Sequence, residues 1–143
     1  MEDQAAYGQS PAKELNFILD ITPMGAVRTT QKGQYVSTTY KKYKDWKSTL
    51  QLLWLSEIKK LGLIPDNIKF SVIKSIDFYM PMPSGKKYLD RLGKPHTMKP
   101  DIDNMLKAFM DALMKEDSHV HEIGRMTKTW HQVGHMKVTI VLD

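Results

Sequence analysis

The chain has 143 residues, of which 41% are hydrophobic and 26% charged, and its formal net charge is +5. These proportions are typical of a globular protein with a buried core. The sequence contains no cysteine, which excludes disulfides, thiolate zinc sites and cysteine nucleophiles. No apolar run is long enough to cross a membrane, and the polar N-terminus has no signal-peptide core. We therefore expect a cytoplasmic protein with an anionic partner, for which nucleic acid is the first candidate.

The chain is predicted to begin with a flexible tail, residues 1–13, which shows no hydrophobic periodicity. Residues 14–143 are predicted to form one domain, because no linker or repeat divides them. Residues 15–21 partly alternate apolar and polar side chains, which predicts a first strand. The segment that follows is polar, and Arg28 and Lys32 in it could contact a phosphate backbone. An ordinary solvated loop explains these two residues as well.

Residues 38–61 carry apolar side chains at steps of three and four, which predicts a long amphipathic helix. Ser37 or Thr38 can cap its N-terminus, and Gly62 ends it. Residues 68–80 are rich in β-branched and aromatic side chains. That composition predicts a second strand.

A basic segment, residues 84–99, follows the second strand and leads into a pair of acidic residues. It is predicted to be a long loop that is mobile without a substrate. Positive charge next to a negative centre suits an enzyme that acts on phosphodiesters. His96 could lie close to such a substrate. We expect the cations of this segment to contact DNA: Lys86, Lys87, Arg91, Lys94 and Lys99.

Two carboxylates separated by one apolar residue, Asp101 and Asp103, stand at the start of a second predicted helix. Apolar residues at 105/106, 109 and 112/113 give this helix one buried face. Asp103 stands where an N-cap belongs. Polar residues recur every fourth position and predict an exposed stripe of ion pairs: Asp103, Lys107, Asp111 and Lys115.

This acidic pair has two interpretations. In the first, Asp103 is an ordinary cap and forms a solvated ion pair with Lys107. In the second, the pair binds a divalent cation such as Mg²⁺, because neighbouring carboxylates repel unless a cation lies between them. These residues alone leave both interpretations open.

Two final strands are predicted at residues 120–130 and 136–142, with a turn at Gly134 and an antiparallel arrangement. The order of elements is β-α-β-loop-α-β-β. It predicts an α/β (α+β) fold in which two main helices pack on a mixed sheet.

The sequence from Lys99 to Val120 contains Pro-Asp-Ile-Asp-Asn-x-x-Lys-Ala-x-x-Asp-Ala-Leu and then Glu-Asp-Ser-His-Val. It resembles the signature of the RusA family of Holliday-junction resolvases, whose members are often encoded by phages or prophages. The resemblance implies an essential lysine and three catalytic acids that bind Mg²⁺ or Mn²⁺: Lys107, Asp101, Asp103 and Asp117. The link before the last acid is shorter than in some members, so Glu116 is an auxiliary or alternative ligand.

The resemblance implies a RusA-like fold and a homodimer that resolves four-way DNA junctions in recombination and repair by metal-dependent phosphodiester hydrolysis. Two alternatives have the same fold: a nuclease for other branched or flap substrates, and a non-catalytic DNA-binding module. A zinc site is a further alternative. His119 and His121 are one residue apart, and on one face of a strand they could hold Zn²⁺.

Overall fold

The computed structural model describes residues 13–28, 37–114 and 117–143, with Asp117 described by its backbone alone. The predicted tail therefore lies outside the described residues, apart from Lys13. Within the described ranges the main elements follow the predicted order: β1 (Glu14–Leu19), α1 (Thr38–Lys60), β2 (Phe70–Pro81), α2 (Ile102–Leu113), β3 (Glu122–His131) and β4 (His135–Leu142). Three short 3-10 helices accompany them: Pro65–Asn67, Lys86–Arg91 and Asp117–His119.

The four strands form one mixed sheet in the order β1-β4-β2-β3. β4 pairs antiparallel with β1 and β2, whereas β3 pairs parallel with β2. The predicted mixed sheet is therefore confirmed. β3 and β4 run in opposite directions as expected, but they are not neighbours, because β2 lies between them. The connection through α2 returns the chain beside β2 in the same direction, as in other β-α-β crossovers.

One face of the sheet carries the core. The ring of Trp54 on α1 lies 4.1 Å from that of Phe17 on β1 and 6.1 Å from that of Phe109 on α2, so both helices pack on this inner face. Burying such a side chain stabilises the fold by about 1.5–3 kcal/mol. The outer face carries polar groups, among them Asp77, which accepts a hydrogen bond from Thr127 at 2.6 Å.

Helix α1 has the predicted cap, since Ser37 Oγ accepts a hydrogen bond from the Tyr40 amide at 3.1 Å. The helix ends at Lys60. Gly62 follows with a φ of +73°, a conformation that glycine adopts without steric cost.

Helix α2 begins two residues earlier than predicted, with Asp101 as its N-cap. The Asp101 carbonyl already accepts the first helical hydrogen bond, from the Met105 amide at 3.1 Å. Asp103 therefore lies in the first turn, and its prediction as the cap is wrong. The predicted buried face is confirmed by Met105, Leu106, Phe109 and Ala112.

The basic segment has more structure than the predicted loop. Lys86–Arg91 forms a 3-10 helix. Beyond it, Gly93, Lys94 and His96 exchange backbone hydrogen bonds with Lys128 and Trp130, so the segment lies antiparallel along the free edge of β3. Across the described ranges, no helix is long and apolar enough to span a bilayer.

Candidate functional site

Asp101 and Asp103 open onto one groove, here called the acid groove. Its volume is about 590 Å³, and its other lining residues are Met24, Gly25, Lys99, Pro100 and Asn104. The groove lies where the N-terminus of α2 meets the chain that follows β1. Backbone N–H groups at a helix N-terminus favour nearby negative charge, and Asp101 and Asp103 stand at the N-cap and in the first turn of α2.

Neither carboxylate is used for capping. Asp101 is the N-cap residue, yet its side chain makes no capping hydrogen bond. It is 62% exposed and lies 3.5 Å from the Lys99 ammonium, which is itself 88% exposed. No hydrogen bond or ion pair joins the Asp103 carboxylate to another residue of the described ranges. Both acids therefore remain available to a ligand, and the interpretation as an ordinary cap loses its main support.

The floor of the acid groove is fixed by a reciprocal contact between Ala26 and Asn104. The Ala26 amide donates to the Asn104 carbonyl at 3.1 Å, and Asn104 Nδ2 donates to the Ala26 carbonyl at 3.2 Å. Gly25 approaches so closely that an added Cβ would lie 2.6 Å from Asn104 Nδ2 and 3.0 Å from Pro100 Cβ. The need for glycine here comes from close packing and was not predicted.

A second contact holds the same segment farther back. Trp46 Nε1 on α1 donates to the Thr22 carbonyl at 2.8 Å. The chain from Thr22 to Ala26 is thus fastened both to α1 and to α2. A metal or substrate that entered the acid groove would meet a wall already held in place.

Lys107 lies one turn after Asp103 on the same helix. Its ammonium contacts Asp111 at 3.0 Å, rather than the Asp103 partner that the first interpretation required. Asp111 also accepts a hydrogen bond from the Tyr43 hydroxyl at 3.1 Å. Burial and the Asp111 charge both raise the pKa of Tyr43, so its phenol stays protonated and donates. Asp111 and Tyr43 therefore help to orient Lys107, a role that the four-residue stripe alone did not reveal.

The two described carboxylates fit a hard divalent cation. Mg²⁺ is usually held by one or two carboxylates, with water and substrate phosphate in its other positions. Among the described residues, no cluster of three or more His, Cys, Asp or Glu side chains could hold a metal. The predicted third ligand belongs to the 3-10 helix Asp117–His119, and its side chain, like Glu116, lies outside the described part of the chain.

The predicted DNA-binding cations are mostly displayed at the surface. Arg91 is only partly exposed: its guanidinium lies 4.8 Å from the ring centre of Tyr88, which the Lys87 ammonium also approaches at 5.0 Å, and 5.1 Å from that of Trp130. Stacking fixes the plane of the guanidinium and leaves its edge able to donate. Lys32 lies outside the described residues. The exposed members of the predicted set are Arg28, Lys86, Lys87, Lys94 and Lys99.

The histidines differ from their predictions. His119 ends a 3-10 helix and His121 precedes β3, so the two do not share one face of a strand. His96 is only 6% exposed and packs on Trp130 with ring centres 4.2 Å apart, so it is a buried group rather than a surface contact. Burial, and then the charge of Lys128, lower the pKa of His96.

Comparison with known proteins gives one assignment. A search among curated proteins returns no match. The sequence profile of the family described as Endodeoxyribonuclease RusA matches residues 20–141 of the 143 residues. The match spans every strand except β1, both helices, and the stretch from Lys99 to Val120 that resembled this family. The chain therefore belongs to the RusA endodeoxyribonuclease family.

Proposed function

We propose that this chain is a metal-dependent Holliday-junction resolvase that acts in DNA recombination and repair. One observation carries the proposal. Asp101 and Asp103 stand at one helix N-terminus, where the Asp101 side chain makes no capping hydrogen bond, and both open onto the same groove, with Lys107 one turn later. A binding module gains nothing from two exposed carboxylates beside a phosphate backbone, because like charges repel.

Asp101 and Asp103, with Asp117 as a third ligand, would hold Mg²⁺ or Mn²⁺ in the acid groove. The bound ion supplies charge neutralisation at the phosphate and lowers the pKa of the attacking water. In the reaction the water would give up one proton as its oxygen bonds to phosphorus, the bond from phosphorus to the leaving 3′ oxygen would break, and that oxygen would take up a proton. Asp101 and Asp103 fit this task because their backbones are held by the first turn of α2 and by the chain that precedes it.

Lys107 would stabilise the negative charge that develops on the phosphate oxygens or orient the attacking water. Such a contribution is typically worth about 3–4 kcal/mol when the donor is held in place beforehand. Asp111 forms an ion pair with the Lys107 ammonium and accepts a hydrogen bond from the Tyr43 hydroxyl.

The basic segment would supply most of the DNA contact. Lys86, Lys87 and Lys94 are exposed, and the chain that carries them leads directly to Asp101. Exposed lysines bind the phosphate backbone irrespective of base sequence, which suits recognition of a branched shape.

A homodimer would match the substrate. A four-way junction has approximate two-fold symmetry, and its resolution takes paired cuts in opposed strands. Two copies related by a two-fold axis would present two equivalent acid grooves for those cuts.

The test is cleavage of three synthetic substrates, a four-way junction, a linear duplex and a flap, each with Mg²⁺, Mn²⁺ or EDTA. We expect paired cuts in opposed strands of the junction, and only with metal. The double variant Asp101→Asn/Asp103→Asn, purified in parallel, controls for contaminating nuclease. Equal cleavage of the flap would instead indicate a broader branched-DNA nuclease. Junction binding without cleavage in either metal would indicate a non-catalytic binder.

A further inference from the structure

Lys128 on β3 bonds to the chain that leads into the acid groove. Its ammonium donates to the Met98 carbonyl at 2.6 Å and to the Pro100 carbonyl at 2.8 Å. The register pairs Lys128 with Phe78, a core residue, so the lysine side chain leaves β3 on the inner face of the sheet. From there it reaches the residue immediately before Asp101.

These two bonds are the main restraint on residues 97–100. Apart from them and the Lys99–Asp101 ion pair, no hydrogen bond or ion pair reaches residues 97–100 within the described ranges. The pairing with β3 stops at His96, whose amide donates to the Lys128 carbonyl at 2.8 Å. The contact between Ala26 and Asn104 begins only on the other side of Asp101. Lys128 thus bridges the gap between two fixed parts of the backbone.

The chemistry of the contact suits this role. An ammonium has three donors and no acceptor, and its charge strengthens each bond to a carbonyl. Two of the three donors are used on carbonyls that are two residues apart, which sets the direction of the chain as it enters α2. The Asp101 side chain is 62% exposed, so its placement depends largely on the backbone that carries it.

We propose that Lys128 is a positioning residue for the metal site: it fixes the backbone from which Asp101 reaches into the acid groove. The inference rests on the proposed function, because it assumes that Asp101 binds the ion. Lys128 itself touches neither the ion nor the reacting phosphate. Groups that orient metal ligands from behind typically change metal affinity or activity on the order of 10- to 100-fold when they are removed.

The test compares Lys128→Met with Lys137→Met. Lys137 is a matched control because it lies on β4 of the same sheet, opposite Asp77 of β2 in the register, and its side chain is on the outer face, away from the acid groove. Free Mn²⁺ is followed by electron paramagnetic resonance in the absence of DNA, and the half-saturating Mg²⁺ concentration is measured for junction cleavage. Junction affinity in EDTA and the melting temperature complete the set.

We expect Lys128→Met to weaken Mn²⁺ binding and raise the half-saturating Mg²⁺ concentration on the order of 10- to 100-fold, with junction affinity in EDTA unchanged. Lys128→Arg should restore most of the Mn²⁺ affinity, because a guanidinium also donates to two carbonyls. If Lys128→Met melts too low for assay, Lys128→Gln keeps a polar head of shorter reach and should show the same shift. Lys137→Met should match the unaltered protein.

The result that overturns the inference is Mn²⁺ binding by Lys128→Met and Lys128→Gln equal to that of Lys137→Met. If the unaltered protein cleaves the junction in that case, the proposed function stands and only the role of Lys128 fails. If the unaltered protein neither cleaves the junction nor binds Mn²⁺, the proposed function fails first, and the role of Lys128 falls with it.

Discussion

The acid groove and the basic segment are adjacent in the chain but are built differently. In the acid groove the surrounding backbone is fixed from several sides, by Trp46, Asn104 and Lys128. In the basic segment the backbone is fixed along β3, while the lysine side chains extend into solvent. The contrast is the one that the proposed function requires between a part that performs chemistry and a part that binds DNA.

The physical reason lies in the distance dependence of the two tasks. Metal coordination and transition-state stabilisation need positions accurate to a fraction of an ångström. Attraction to a phosphate backbone acts over a Debye length of about 8–10 Å and tolerates mobile side chains. Changes in the acid groove should therefore reduce turnover, and changes in the basic segment should reduce affinity.

The largest effect is expected from Asp103→Asn, which keeps the side-chain size and removes the negative charge. Single-turnover cleavage of the junction should fall by at least about 100-fold, since loss of a direct metal ligand should exceed loss of a supporting group. Junction affinity in EDTA should hold or rise, because a charge that repels phosphate is gone. Asp66→Asn, on an exposed 3-10 helix, is the control and should change neither. Equal loss of cleavage and affinity would assign Asp103 a folding role instead.

Lys107→Ala should lower turnover on the order of 10²- to 10³-fold and leave junction affinity nearly unchanged. The measurement is the cleavage rate at saturating enzyme, with affinity determined separately. Lys60→Ala removes an exposed lysine that is also paired along its helix, with Glu57 at 2.9 Å, and should have no effect. An unaltered cleavage rate for Lys107→Ala would show that Lys107 has no role in the reaction beyond ordinary contacts such as its ion pair with Asp111.

Gly25→Ala tests whether the close packing of Gly25 at the floor of the acid groove is needed for turnover. The added Cβ would press on Asn104 Nδ2 and should cost roughly 1–3 kcal/mol of unfolding free energy together with a loss of turnover. Gly62→Ala is the comparison, because its positive φ also strains an alanine but no atom lies within 4 Å of the added Cβ. That variant should lose stability and keep full turnover. Full turnover in Gly25→Ala would show that the groove tolerates displacement.

Neutralising Lys86, Lys87 and Lys94 to Gln together should weaken junction binding and leave turnover at saturating DNA nearly unchanged. The slope of log affinity against log salt should become shallower by about 0.9 for each phosphate that the protein no longer neutralises. The measurement is fluorescence anisotropy of a labelled junction across a salt series. The same charge removed at Lys59, Lys60 and Lys69 serves as the control. An unchanged slope would remove the basic segment from the interface.

The smallest effect concerns His96 and the pH dependence of stability. Its pKa in the folded chain is lowered from 6.5, so the unfolded chain binds more protons between the two values. The stability that neutral His96 supports is present above pH 6.5 and is lost as the pH falls through the lowered pKa. The melting temperature should therefore drop as the pH falls below 6.5, and less so in His96→Phe. Parallel curves for the two proteins would contradict this assignment.

Local patterns predicted much of the fold. Alternation on β1 and β4 and the three- and four-residue steps on α1 and α2 identify which side chains face the core, because burial follows the periodicity of each element. The position of β2 between β3 and β4 was not predicted, since strand order depends on contacts between distant segments. The prediction of Asp103 as the N-cap failed for a different, local reason. Asp101 and Asp103 are close together in the sequence, and the pattern alone does not show which of the two is the cap.

The candidate site shows the same division. The stretch from Lys99 to Val120, which resembles the RusA family, contains the predicted site residues, so the sequence alone could propose them: Asp101, Asp103, Lys107 and Asp117. Their supports could not be proposed in this way, because Asn104 contacts Ala26 across 78 positions and Lys128 reaches Pro100 across 28. The need for glycine at position 25 could not be predicted either, since only the packed structure shows that no space is left there for a Cβ. The basic segment was predicted by charge, whereas its edge pairing with β3 depends on backbone groups that carry no sequence signal.

Joint binding of the divalent ion by Asp101 and Asp103 can be measured by calorimetric titration of Mn²⁺ into the DNA-free protein and into Asp101→Asn/Asp103→Asn, with Asp66→Asn alongside. We expect saturable binding by the unaltered protein and by Asp66→Asn, and its loss in the double variant while the melting temperature is retained. Equal Mn²⁺ affinity in all three proteins would contradict joint binding.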